Sequence, residues 1–459
     1  MKKYFRHSYL VFIAMLIFFT GELDIEEIVD TAAMVLLIAS IILFFFTQKN
    51  TLFTIFFNFI LIWFSIGNIN YLIFRLIWFG WESDIVSYNL IFSLFVLVFS
   101  LLGFIFNSKI TIRKDVSVIL VDFNVKFFIK CSIILIIFYA LLFLPKVGWT
   151  GVFSGTVVHS NRFDIEFSPL LSRLSLAIPL LGCIIIYLVI EKFIYPVWVI
   201  VFFVVAFYLQ AVGGARFSFF ISLMSMFFLL FYSRHIDLIK KFRVPIALSL
   251  MVFIISYQII ATIRDEQNIS DFAGDTVSVL SVLDGFGGEH RDAAASFELF
   301  GPQEKNIISS NYLSTIAVTI FPGPLLSFFG IQKDMVVKKG AAYLMQEEYK
   351  VVDGSIRIGG IAEAYFWRGI LGILIASMVI YFTIYQIDRL TNEREIMLSR
   401  LILISYGSPW IFYFVASQSD MLIGGFVGMV VNYYVLKYFQ IFFGLKNQSF
   451  YVNDLRVRK

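Results

Sequence analysis

V-S-Y-N-L-I-F-S-L-F-V-L-V-F-S-L-L-G-F-I-F-N, residues 86–107, contains no Asp, Glu, Lys, Arg or His in twenty-two positions. At about 1.5 Å per residue, a helix of that length crosses the ~30 Å hydrocarbon core of a bilayer. Similar runs lie near 5–20, 30–47, 52–67, 127–144, 169–190, 194–212, 217–233, 244–262, 363–387, 401–417 and 420–440, about twelve in all. The third can extend through Leu72–Phe79 as a tilted or interfacial helix. Composition points the same way: 59% of residues are hydrophobic, 18% aromatic and 15% charged, with a mean hydropathy of +0.86. Soluble chains carry roughly a quarter charged residues. The expected fold is an all-α polytopic membrane domain over 1–459. Long apolar runs rather than alternating ten-residue segments set an outer-membrane barrel aside.

Charge orients the spans. Lys2, Lys3 and Arg6 precede the first run, which is read as a retained span because no small-residue cleavage site follows it. Alternate loops then carry Lys49; Lys109, Arg113, Lys114 and Lys126; Lys192; Arg234, Lys240, Lys241 and Arg243; and Arg389, Arg394 and Arg400. Cationic short loops stay cytoplasmic, so both termini are expected inside. The intervening loops are acidic or nearly neutral, as in G-E-L-D-I-E-E-I-V-D at 21–30. Cys131 and Cys183 fall in apolar runs and suit membrane-packed thiols better than a disulfide or metal pair. No P-loop and no cytosolic domain is visible, which argues against an ATP-driven pump or a nucleotide-sugar enzyme.

The polar mass collects in one place, a segment at 263–362 between the ninth and tenth runs, expected on the outer face. Within it, A-V-T-I-F-P-G-P-L-L-S-F-F at 317–329 is apolar but broken by Pro322, Gly323 and Pro324, which suits an interfacial or re-entrant helix pair. G-F-G-G-E-H-R-D at 285–292 gathers an acid, an imidazole and an arginine. His290 is there a candidate general base, with Arg291 as an anion contact; a merely solvated histidine is the plain alternative. Arg216 follows Gly213 and Gly214 in G-G-A-R, a tight turn at an outer span end. Its guanidinium can grip phosphate in a bidentate fork, or simply snorkel to the interface. Arg264, beside Asp265 and Glu266, is expected at the same depth, so that one pyrophosphate could bridge the two arginines. The string D-G-S-I-R-I-G-G-I-A-E-A-Y-F-W-R-G-I-L-G at 353–372 opens the tenth span and brings Arg357, Glu363, Tyr365 and Arg368 to its outer mouth. Glu363 is either ion-paired for structure or a proton acceptor. Gly369 and Gly372, one turn apart, suggest close helix packing. Neither H-E-x-x-H, nor paired C-x-x-C, nor D-x-D is present, so no metal or other cofactor is expected.

Twelve spans, the G-G-x-R turn, the large external loop and the G-x-x-E-x-Y-x-x-x-G-x-x-G entry together resemble the Wzy-type O-antigen or oligosaccharide repeat-unit polymerases. The architecture is also similar to that of the O-antigen ligases, a polytopic, GT-C-like glycosyltransferase arrangement. The resemblance implies an enzyme of the bacterial inner membrane, with its active face periplasmic. Such an enzyme joins undecaprenyl-pyrophosphate-linked oligosaccharides, donor and acceptor both held at the outer leaflet. Partners implied are those lipid-linked glycans, membrane lipids and, as a further candidate, a chain-length regulator protein, with no nucleic acid. Arg216, Arg264, Arg291 and Arg357 would hold the pyrophosphate, where fixed cations stabilise the charge developing on the leaving group. Gly213, Gly214, Tyr365 and Arg368 would line the substrate loop, and the base would be Glu363 or His290. A lipid-linked oligosaccharide flippase or another polytopic transporter is the main rival. It would have short loops on both faces, whereas this chain concentrates its polar mass on one. An envelope scaffold whose arginines bind only headgroups is a third reading.

Overall fold

A computed structural model describes residues 28–47, 52–77, 84–106, 216–232, 292–300, 323–328, 358–391 and 398–416, with a few single positions such as His290 between them. Among the described residues every regular element is helical and no strand occurs. The helices are α1 (Ile28–Thr47), α2 (Leu52–Ile77), α3 (Ile85–Phe106), α4 (Arg216–Tyr232), α5 (292–300), α6 (Gly323–Phe328), α7 (Gly359–Arg368), α8 (Ile370–Leu390) and α9 (Leu398–Ala416). The chain forms two compact units. The first comprises Met1–Ile112, Leu283–Arg389 and Ile411–Gly424, and the second the remainder. The expected spans at 5–20, 194–212, 244–262 and 420–440, and most of those at 127–144 and 169–190, lie outside the described residues.

Among the described residues, α3 and α8 are long and apolar enough to cross a membrane. Both are apolar around most of their circumference. The inner face of α3 buries Tyr88, Phe92, Phe95, Phe99 and Gly103 at helical spacing, while Leu101, Phe104 and Ile105 are exposed. Similarly, α8 buries Ile373, Ile380, Tyr381 and Ile384 and exposes Leu371, Ile375, Met378, Val379 and Phe382. A water-facing helix would be polar on that second face. Several serines within the helices turn their hydroxyls back on their own turn. Ser40, Ser100 and Ser377 each bond the carbonyl four residues earlier, at 2.7, 2.7 and 2.8 Å, which leaves no hydroxyl facing an apolar surroundings unbonded at these positions.

The core of the first unit is a seam of rings. Phe44 of α1 stacks on Phe57 of α2 at 4.2 Å, and Phe53 of α2 stacks on Phe99 of α3 at 4.9 Å. Phe53 reaches that depth because position 103 is glycine, where any Cβ would overlap its ring. Tyr381 of α8 meets both Phe53 and Phe99 edge-on at 5.9 Å. From the end of α9, Phe412 closes on Phe56 at 5.2 Å and Phe59 at 4.8 Å. Offset and edge-on ring pairs contribute about 0.5–1.5 kcal/mol each beyond burial, so this seam specifies how the helices pack even where both sides are apolar.

Two helix starts are held by carboxylates. Asp84 caps α3 locally, its Oδ1 accepting the Ser87 N–H at 2.9 Å. Leu52 and Phe53, which open α2, donate their N–H groups to the two carboxylate oxygens of Asp388 at 2.9 and 3.4 Å. Asp388 lies in the last turn of α8, buried to 4% exposure. A negative charge at the positive end of α2 is favoured by the helix dipole as well as by the two bonds. The result ties the start of α2 to the end of α8, as antiparallel neighbours require. α2 itself runs unbroken for 26 residues, so the runs at 52–67 and 72–79 are one helix of about 39 Å, longer than the hydrocarbon core.

The expected span at 363–387 is instead a broken helix. α7 stops at Gly369, whose φ of 60° and ψ of −139° are open to glycine but not to residues with a side chain. α8 restarts at once, and a Cβ on Gly372 would overlap the carbonyl oxygen of Ala364. Gly369 and Gly372 thus serve the close approach of α7 to α8 across their own break.

In the second unit, α4 buries Phe228, Leu229 and Tyr232. The Tyr232 hydroxyl lies 3.4 Å from that of Ser408 on α9, beside the in-helix Pro409.

Candidate functional site

From the long polar segment, α5 packs into the first unit. Its face is D-A-A-A-S-F, residues 292–297, and Ala293, Ala294, Ala295 and Phe297 have no exposed surface. Three small residues in succession let the helix backbone approach its neighbours. The Asp84 N–H, just before α3, donates to the Ala294 carbonyl at 3.2 Å. Phe297 then joins two further elements. It lies 5.8 Å from Tyr88 of α3, stacks on Tyr365 of α7 at 5.2 Å and meets Phe366 at 4.9 Å.

His290 enters the unit just before α5. Its ring sits among Tyr88, Phe64 and Phe92 at centroid distances of 4.7, 5.6 and 6.2 Å. The fourth wall is Gly67 of α2, where a Cβ would collide with the imidazole. The side chain is 1% exposed, and neither Nδ1 nor Nε2 has a hydrogen-bond partner among the described residues. Burial pushes its pKa down to about 3, because an imidazolium in an apolar cage loses its hydration without gaining an acceptor. At neutral pH it is therefore an uncharged ring held by packing. Beside the cage, Asn89 of α3 donates from Nδ2 to Oδ1 of Asn68 on α2 at 2.9 Å. The Asn89 Oδ1 and the hydroxyl of Ser93, one turn further on, remain unbonded among the described residues.

α7 carries three of the expected site residues. Tyr365 is buried, Glu363 half-buried and Arg368 exposed. The helix begins at Gly359, with φ at +74°, and Gly360, whose missing side chains admit the Val415 carbonyl and the Phe414 ring of α9. Arg216 is the first residue of α4, in the second unit. Gly213, Gly214, Arg264, Arg291 and Arg357 lie outside the described residues. The structure thus brings the His290 segment against the helix bearing Glu363 and Tyr365, with Phe297 as the link. Phe297, Gly67 and the Asn68–Asn89 pair were not among the residues singled out from sequence, although two asparagines in apolar runs are a visible signal of an interhelical hydrogen bond. Among the described residues no three His, Cys, Asp or Glu side chains cluster as a metal site.

Comparison with protein-family models, characterised proteins and solved structures gives no match.

Proposed function

We propose that the protein is a polytopic glycosyltransferase of the bacterial inner membrane that joins undecaprenyl-pyrophosphate-linked oligosaccharide repeat units on the outer face. In this reading about twelve spans form a GT-C-like bundle with both termini cytoplasmic, and the segment 263–362 is the periplasmic wall of the site. The observation that carries it is the docking of α5 on α7: a helix from the large polar segment packs through Phe297 onto the helix entry bearing Glu363 and Tyr365. Charge alternation along the loops supports the sidedness, because every second short loop is basic.

The roles follow from the chemistry of the leaving group. A lipid pyrophosphate departs with negative charge, which fixed guanidiniums stabilise without reorganising. Arg216, Arg264, Arg291 and Arg357 are assigned to that task. The acceptor hydroxyl must lose a proton as it attacks the anomeric carbon. Glu363, half-buried on α7, is assigned as the base. His290 is 1% exposed among the rings of Phe64, Tyr88 and Phe92 and against Gly67, and a substrate hydroxyl could reach it only after the cage opens.

Deleting the gene in its host and resolving the surface glycan by size tests the proposal. Single repeat units are expected, and Arg216→Ala and Glu363→Gln should each reproduce them. Loss of all surface repeat units, with lipid-linked units retained inside the cell, would instead identify a flippase. Full-length polymer in Glu363→Gln would remove that residue from the base role.

A further inference from the structure

The cage around His290 is built for an uncharged ring. Its walls are Phe64 and Gly67 from α2 and Tyr88 and Phe92 from α3, and the imidazole fills the notch left by the glycine. Neither ring nitrogen has an acceptor or donor among the described residues. Yet histidine is the one side chain whose ordinary titration falls in the physiological range. A phenylalanine or leucine would fill the same notch without that liability.

We propose that His290 makes α5 a proton-sensitive latch: neutral, the imidazole seats α5 against α2 and α3, and protonation releases it because the described walls of the cage offer an imidazolium no acceptor. Release would also withdraw Phe297 from Tyr365 and Phe366, uncovering α7. The latch is independent of the reaction proposed above and rests only on the docking geometry.

The sign follows from linkage. Free of the cage, the imidazole titrates near its ordinary value of 6.5; seated, burial holds it at about 3. The seated state therefore binds fewer protons, so docking is at full strength above pH 6.5 and weakens as pH falls from there towards 3. Of the other titratable groups, Glu289 and Arg291 flank His290 in the sequence and lie outside the described residues. Tyr88 is itself a wall. Asp84, before α3, is engaged in capping Ser87 at 2.9 Å. Tyr71 and Arg75 lie further along α2, and Asp292 and Glu298 are on α5 itself. On α7, reached through Phe297, are Glu363, Tyr365 and Arg368.

Hydrogen exchange on the full-length protein in lipid nanodiscs, followed in peptides covering 285–300 at pH 7.5 and 5.0 and corrected for intrinsic exchange, tests the latch. Wild-type protection should fall roughly thirtyfold between these pH values, the ratio for one group released with a pKa near 6.5. His290→Phe should stay protected at both. Gly67→Ala, whose Cβ displaces the ring, should be unprotected at both. Wild-type protection that does not change with pH would overturn the proposal, and so would an equal loss in His290→Phe. Should His290→Phe fail to fold, the wild-type profile between pH 7.5 and 4.5 decides: a tenfold loss per unit beginning near 6.5 supports the latch, and a flat profile overturns it.

Discussion

Removing the Asp388 carboxylate should loosen the start of α2. Asp388 accepts the N–H groups of Leu52 and Phe53 at 2.9 and 3.4 Å and is 4% exposed. In Asp388→Ala both donors lose a charged acceptor in a place water does not reach. Hydrogen bonds to charged groups contribute about 1.5–3 kcal/mol each. The longer of the two belongs at the low end, so the expected loss is about 3–4 kcal/mol. Asp388→Asn keeps one acceptor oxygen and loses the charge–dipole contribution with one bond, for a loss of about 1–2 kcal/mol. Equilibrium unfolding of the purified protein in mixed micelles gives the energies, and amide exchange at Leu52 and Phe53 localises them. If Asp388→Ala unfolds within 0.5 kcal/mol of wild type, or those two amides exchange no faster, the carboxylate does not hold α2 and the reasoning is refuted.

The break between α7 and α8 gives a second prediction. Gly369→Ala must hold an alanine at φ 60°, ψ −139°, which should lower stability by about 1–3 kcal/mol in the same unfolding assay; an unchanged midpoint would show that the break is not enforced there. A double-mutant cycle on the interhelical pair, Asn68→Leu with Asn89→Leu, should give a coupling of about 0.6–1.5 kcal/mol, and a coupling near zero would mean that the 2.9 Å bond adds nothing.

Periodicity and run length mark where the chain is helical to within a few residues. The runs at 30–47, 86–107, 217–233 and 401–417 correspond to α1, α3, α4 and α9, because so apolar a stretch has no cheaper way to satisfy its backbone than a helix, even across Gly103 in α3 and Gly407 and Pro409 in α9. At 363–387 the same logic marks the spanning stretch found as α8, but not the break that precedes it. Gly369 lies in an otherwise apolar run, and hydropathy does not report that its backbone turns to positive φ. Of the candidate site, residue types in the sequence mark the α7 string and the long segment as candidates, and the structure brings α5 of that segment against α7. The state of His290 was not legible in this way. In sequence it stands among Glu289, Arg291 and Asp292 and reads as a solvated charge cluster. In the fold, the A-A-A-S-F face of α5 carries it into a ring cage.

By itself, then, the sequence determined the all-helical character of the described elements, the spanning length of α3 and α8, and the residue types available for anion binding and proton transfer. These follow from local properties: hydropathy, side-chain chemistry and the backbone's need for internal hydrogen bonds. Tertiary structure alone decided that Asp388 caps a helix 336 positions away, that Gly67 exists to admit an imidazole, and that this imidazole is neutral. Each depends on which side chains meet, and desolvation acts on a titratable group only through the neighbours that exclude water from it.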